Sequence, residues 1–184
     1  MNLTRSCNVK LILIRHTEAV ELGSEKAETD FDRYLTPHGI ATASRLADTL
    51  KANGIEFDAI VSSPLVRAVQ TAEPLLALTA NRQILVNEDL ATGVRKPKKL
   101  AVRLNEMDAQ VVALVGHRPD LDEFVAWLIG AGTKGIKLAK GTAVKVNTHG
   151  EVREGGGTLL WQITPDFYFP QTSIAESNGS AAAA

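Results

Sequence analysis

A chain of 184 residues, 45% hydrophobic and 22% charged, has the composition of one globular domain with a sizeable core. Its net charge of −1 excludes the broad basic surface that general nucleic-acid binding needs. The single cysteine, Cys7, excludes an intrachain disulfide and fits a reducing compartment. No apolar stretch is long enough to cross a membrane, and the first ten residues contain no signal-peptide-like apolar segment. The expectation is a cytoplasmic monomer that binds neither nucleic acid nor membrane.

In chain order, residues 1–8 read as an N-terminal extension and 9–168 as a single domain. Residues 169–184, which end in an alanine run and lack apolar periodicity, read as a disordered tail. "VKLILI" (9–14) is a near-continuous apolar strand of the kind covered on both faces. Residues 17–35 are polar and acidic and read as an exposed loop. Thr36 and Pro37 supply a cap and a first helical position. The helix they open should bury Ile40, Ala43, Ala47 and Leu50 and stop at Asn53-Gly54.

"FDAIVSS" (57–63) is the second strand, and Ser63-Pro64 should start a helix running to about Leu78 with a kink at Pro74. A short strand (83–87), a helix (97–107) with Leu100, Leu104 and Met107 on one face, and a strand (111–115) follow. Pro119 opens a helix that carries Leu121, Phe124, Val125 and Leu128 to Gly130, and 142–164 reads as an edge hairpin. Alternating strands and helices predict an α/β three-layer α/β/α sandwich with a mostly parallel sheet and an antiparallel edge.

Three segments then fall at the carboxyl ends of predicted strands, where open α/β sheets bind ligands. Arg15-His16 follow 9–14, Arg67 lies in the first turn after 57–63, and Gly116-His117 follow 111–115. Two arginines and two histidines with little acid suit a phosphoryl group. Guanidinium forks match phosphate oxygens and stay charged, and a neutral imidazole can attack phosphorus. Neighbouring arginines should depress the histidine pKa and keep one nitrogen free. His16 is therefore the candidate nucleophile of a phosphatase with a phosphohistidine intermediate. No P-loop sequence and no firm metal-ligand spacing is present, so neither a cofactor nor a metal is expected; the arginines can neutralise the charge.

"LIRHTEA" (13–19), "SSPLVRAVQTAEPL" (62–75) and "LVGHRPDL" (114–121) resemble the three motifs of the histidine phosphatase superfamily, in the same order. The resemblance covers residues 9–165. The "GHRPDL" form and the late "LLWQITP" (159–165) are most similar to the SixA-type branch, the phosphohistidine phosphatases. It implies a phosphoglycerate mutase-like fold, His16 as nucleophile, and Arg15, Arg67 and His117 as the rest of the phosphate pocket. Thr17 stands where the family's "RHG" has glycine, which tightens the pocket floor or adds a hydroxyl contact. Ser62 and Ser63 lie on the same rim, and Ser62 is a candidate phosphate donor as well as a candidate helix-capping or strand-end residue.

Many phosphoester-cleaving relatives carry a glutamate as general acid two positions after a leucine, following the strand that corresponds to 83–87; here Leu90 is followed at that spacing by Thr92. Glu88 and Asp89 are the nearby candidates for a general acid. Without an acid, an alkoxide leaves poorly, whereas a ring-protonated phosphoimidazole leaves as neutral imidazole. The favoured substrate is thus phosphohistidine in a signalling or phosphotransfer protein. The alternatives are a small-molecule phosphomonoesterase on the same fold and a phosphate-binding module without turnover. The five basic residues of "RKPKKLAVR" (95–103) read as a solvated helix start, or else as a patch that steers an acidic phosphoprotein. His38 and His149 read as solvated.

Overall fold

The computed structural model describes residues 8–93, 97–132 and 135–169. Cys7, Arg95, Lys96 and the segment from 170 onward, on which some of the expectations above bear, lie outside them. Six strands form one sheet: β1 (Lys10–Arg15), β2 (Ala59–Ser62), β3 (Ile84–Val86), β4 (Val111–Gly116), β5 (Ala143–Thr148) and β6 (Gly157–Ile163). Their spatial order is β3-β2-β4-β1-β5-β6. The first four are parallel, and β5 joins β1 and β6 antiparallel, as the edge hairpin predicts.

β1 shows why both faces of the sheet must be covered. Its alternating side chains feed two cores. Leu11 and Leu13 point into one core with Leu100, Leu104, Leu121, Phe124 and Leu128, from α3 (Pro97–Glu106) and α4 (Asp120–Ile129). Ile12 and Ile14 point into the other with Leu46, Leu50, Ala68 and Ala72, from α1 (Pro37–Ala52) and α2 (Val66–Ala72). A last short helix, α5 (Pro165–Tyr168), adds Tyr168 to that second core. The result is the three-layer sandwich. The helices that follow β1 and β4 leave on opposite faces although the two strands are neighbours. A crevice therefore opens between their carboxyl ends.

Three expectations are corrected. Ile40 is 52% exposed, and the buried stripe of α1 is Gly39, Thr42, Ala43, Leu46, Ala47 and Leu50. Gly39 sets that rotation, because it lies directly against the Glu18 backbone. The helix after β2 begins at Val66 rather than at Ser63-Pro64 and passes into a 3₁₀ turn (Glu73–Leu78) at Pro74, which lacks the amide an α-helix would use.

Residues 17–35 are not a solvated loop. Ala19, Ala27 and Leu35 are buried, Ala19 and Leu35 form a bridge, and Arg33 donates through Nε to the Val20 carbonyl at 2.7 Å. The segment is a closed loop with its own packing. It is docked onto α2 by Val66 N–H to the Phe31 carbonyl (3.2 Å) and Leu35 N–H to Gln70 Oε1 (2.7 Å).

At the stem of this loop, Thr36 caps α1 by accepting from Gly39 N–H (3.0 Å) and donates to the Glu18 carboxylate (2.7 Å). A Cβ on Gly39 would lie 2.0 Å from the Glu18 carbonyl oxygen, and backbone cannot give way as a side chain would. Gly39→Ala should destabilise the protein by about 2 kcal/mol or more. Urea unfolding reads this as a lowered midpoint at unchanged m-value.

Candidate active site

The parallel register levels the strand ends. Arg15 pairs with Gly116 and Ser62 with Val115. The ladder continues one step further, with His16 N–H to the Gly116 carbonyl (3.0 Å) and Ser63 N–H to the Val115 carbonyl (2.9 Å). The first residue beyond each of β1, β2 and β4 is thus His16, Ser63 and His117, and these meet. The His16 and His117 rings lie 5.0 Å apart, and Ser63 Oγ is 2.8 Å from His117 Nε2. Ser62, named from the sequence, turns its hydroxyl away to the Ser63 carbonyl (3.0 Å).

His16 is buried, and its Nδ1–H donates to the Thr17 carbonyl at 2.7 Å. That bond fixes the tautomer, so the lone pair is on Nε2. Its pKa is pushed down from 6.5 to about 3. Burial is the main cause, the charge of His117 the next, with Arg67 and Arg15 contributing less. Desolvation of the imidazolium, rather than the neighbouring arginines expected from the sequence, is the dominant cause. His117 is pushed down to about 4, again chiefly by burial and then by Arg67, while Asp30 and Asp120 oppose the shift. Both imidazoles are neutral near pH 7.

The arginines are each held by a loop. Arg67, 4% exposed, donates through Nη1 to the Asp30 carbonyl and through Nη2 to the Asp30 carboxylate (2.9 Å). Arg15 donates through Nη1 to the Leu138 carbonyl (2.8 Å). Leu138 N–H in turn donates to the buried carboxylate of Asp122 (3.0 Å), whose other oxygen takes Arg118 Nε at 2.6 Å. Arg15 Nε, Arg67 Nε and His117 Nδ1 are buried and have no protein hydrogen-bond partner. Three of the four proposed pocket residues therefore each present a nitrogen that the fold itself does not use.

Thr17 is fully buried. Its amide donates to Thr71 Oγ1 (3.1 Å), its hydroxyl lies 3.4 Å from the same atom, and Thr71 donates to the Arg67 carbonyl (2.7 Å). The threonine in place of glycine thus braces the histidine-bearing turn against the arginine-bearing helix. Asp89 lines a cleft that also includes His117, but Lys99 Nζ (2.7 Å) and Arg103 Nε (2.9 Å) hold its carboxylate. Burial alone would raise its pKa; those two bonds and charges outweigh burial and bring it below the usual carboxylate range. Asp89 is therefore a poor proton donor at neutral pH, and Glu88 and Thr92 are exposed. The same two bonds occupy part of the basic run read from the sequence. Among the described residues, no group of three His, Cys, Asp or Glu side chains is placed to hold a metal.

Residues 11–92 match the model of the histidine phosphatase superfamily, branch 1. A protein of Picosynechococcus sp. is 36% identical over 132 residues, which is 71% of this chain and 78% of that protein. The chain belongs to the histidine phosphatase superfamily. Within it, the phosphohistidine phosphatase SixA of Escherichia coli is 26% identical over 160 residues, 85% of this chain and 94% of SixA. A solved structure of the protein histidine phosphatase SixA complexed with tungstate shares the fold at a TM-score of 0.73 and 23% identity. That match covers 85% of this chain and 97% of the other. The phosphoglycerate mutase-like α/β fold expected from the sequence is the fold observed, and membership of this superfamily supports a hydrolase. No helix among the described residues is long and apolar enough to cross a membrane.

Both depressed histidines bind protons more readily in the unfolded chain than in the folded one. Between pH 6.5 and about 4 the unfolded state takes up more protons, so stability falls as pH falls through that window. Thermal melts should show His16→Asn losing less stability than the wild type from pH 6.5 to 4. Equal losses would mean that His16 is not held neutral by the fold.

Proposed function

We propose that the protein is a metal-independent phosphatase whose substrate is phosphohistidine in a signalling or phosphotransfer protein. The observation that carries the phosphatase reading is a pair of buried imidazoles 5.0 Å apart, one with its lone pair on Nε2, in the field of Arg15 and Arg67, whose Nε atoms, like His117 Nδ1, are buried and have no protein hydrogen-bond partner. Those nitrogens suit the three equatorial oxygens of a transferring phosphoryl group, whose negative charge the guanidinium groups match. Ser63 Oγ accepts from Leu65 N–H (3.3 Å), and its own proton is available to His117 Nε2. In that tautomer His117 Nδ1 carries a proton and is a third donor.

His16 Nε2 attacks phosphorus as the bond to the leaving nitrogen breaks. A phosphoimidazole protonated on its other ring nitrogen then departs as neutral imidazole. The phosphoryl group is now on His16 Nε2, with Nδ1–H still donating to Thr17. Water attacks in turn, the P–N bond breaks towards His16, and both hydrogens of the water leave on the phosphate as H₂PO₄⁻. Neither step needs a protein acid. This fits an Asp89 committed to Lys99 and Arg103 and an exposed Thr92 at the family's acid position. The similarity to SixA across most of both chains supports the same substrate class. The rival small-molecule phosphomonoesterase would have to protonate an alkoxide.

His16→Ala should abolish turnover while the fold, read by circular dichroism and melting, persists; retained activity would remove His16 as nucleophile. Arg67→Ala should lower kcat/KM by about 10²–10³-fold, the scale of losing an oxyanion-hole donor. Activity should survive EDTA, whereas loss restored by a divalent metal would overturn the charge assignment. With matched concentrations of a phosphohistidine-bearing phosphotransfer domain, a sugar phosphate and p-nitrophenyl phosphate, kcat/KM should be highest for the first. Preference for the sugar phosphate would establish the rival.

A further inference from the structure

Strand register fixes where the Arg15 backbone lies but not how its long side chain is rolled. A guanidinium meets phosphate oxygens best with one of its forks, two N–H groups side by side. One fork is Nε with Nη2; the other is Nη1 with Nη2. In Arg15 it is Nη1 that is tied down, donating to the Leu138 carbonyl at 2.8 Å, while Nε is buried and has no protein partner. The tether thus takes a nitrogen of the second fork and leaves the first intact.

The tether is itself held from behind. Leu138 is fully buried, and its N–H donates to Asp122 Oδ1 at 3.0 Å. The other oxygen of that carboxylate takes Arg118 Nε at 2.6 Å, and the Asp122 side chain is only 7% exposed. Asp122 lies in the first turn of α4, which Leu121 N–H ties to the His117 carbonyl at 2.9 Å. One carboxylate therefore links the helix that follows His117 to the turn that holds Arg15.

The far end of that turn is pinned independently. Arg15 N–H donates to the Thr142 carbonyl and Gly141 N–H to the Arg15 carbonyl, each at 3.1 Å, and Tyr168 Oη donates to the Gly141 carbonyl at 2.8 Å. These bonds hold the Arg15 main chain, and Leu138 holds its side chain. The Leu138 carbonyl brings no counter-charge, and Asp122 behind it does. Burial and the charge of Arg118 press the Arg15 pKa down, and Asp122 opposes them.

We propose that Asp122 is a positioning residue of the site: through Leu138 it sets the roll of the Arg15 guanidinium and so aims the Nε–Nη2 edge at the phosphoryl group. This rests on the phosphatase reading above and deepens it. The effect of Asp122 passes through Arg15 and depends on Arg15 having a fork to aim.

A double-mutant cycle on the full chain tests this, read in kcat/KM for p-nitrophenyl phosphate and in the Kd of inorganic phosphate by calorimetry. With Arg15 present, Asp122→Ala should lower kcat/KM by about ten- to thirtyfold, the range of coupling within one hydrogen-bonded network. Asp122→Asn, which keeps one oxygen for the Leu138 N–H, should cost about threefold on the same scale. Arg15→Lys keeps the charge but has no fork. In that background either Asp122 change should cost less than about twofold more, and phosphate Kd should follow the same pattern.

A merely structural Asp122 would give the same fractional loss in both backgrounds, and that result, or no loss with Arg15 present, would overturn the inference. Should Asp122→Ala not fold, as circular dichroism would show, the Asp122→Asn cycle decides by the same criterion. A wild type that turns over neither p-nitrophenyl phosphate nor a phosphohistidine protein would overturn the phosphatase reading instead, and the phosphate Kd cycle would still judge Asp122. A wild type that does not bind phosphate would overturn both.

Discussion

Guanidinium groups gathered around one buried imidazole repel one another and resist leaving water, and much of the molecule is arranged to hold them there. Arg67 is kept by both the backbone and the carboxylate of Asp30, and Arg15 by the Leu138 carbonyl. Behind each contact stands a second ion pair, Asp30 with Arg33 and Asp122 with Arg118. The two arrangements are alike in logic although they arise from unrelated segments. In each, a carboxylate anchors a loop and the loop turns an arginine. Partly buried pairs of this kind are costly to break by removing one member, because the remaining charge is left without compensation.

The same economy appears in the histidines. The proposed role of His16 requires a nitrogen that is unprotonated and aimed. A single hydrogen bond from Nδ1 to the Thr17 carbonyl does the aiming, while burial keeps the proton off. The sheet supplies the rest, because neighbouring parallel strands in fixed register present the first residue past each strand at one level. Chemistry at this site is therefore a property of strand ends, and the helices on both faces keep those ends level.

Much of this is legible in the sequence, for identifiable reasons. The strands β1, β2 and β4 are short apolar runs whose ends are marked by polar residues, so the sequence alone places Arg15, His16 and His117 at strand ends. The α4 stripe and the C-terminal hairpin follow from period and turn residues alone. The sequence puts Ser62 and Ser63 on the same rim and favours Ser62 as the donor, although Ser63 occupies the same position past β2 that His16 occupies past β1. The α1 stripe was displaced because Ile40 fits the period, while the contact that rotates the helix, Gly39 against Glu18, is long-range and invisible to periodicity. Asp30 had no signal at all. It is one of six carboxylates in an aperiodic segment, and only the closure of that loop onto α2 distinguishes it. The cause of the histidine shift was likewise out of reach, since depth of burial is a tertiary quantity.

The brace between Thr17 and Thr71 has a dynamic consequence. Thr71 Oγ1 donates to the Arg67 carbonyl inside α2 and accepts the Thr17 amide at the end of β1. A local opening that unwinds the first turns of α2 must release Thr17, and one that lifts the His16 turn must disturb α2. His16 and Arg67 thus belong to one cooperative opening unit, though 51 positions separate them in the chain. Exchange of a single amide proton, that of Thr17, should therefore report the integrity of both.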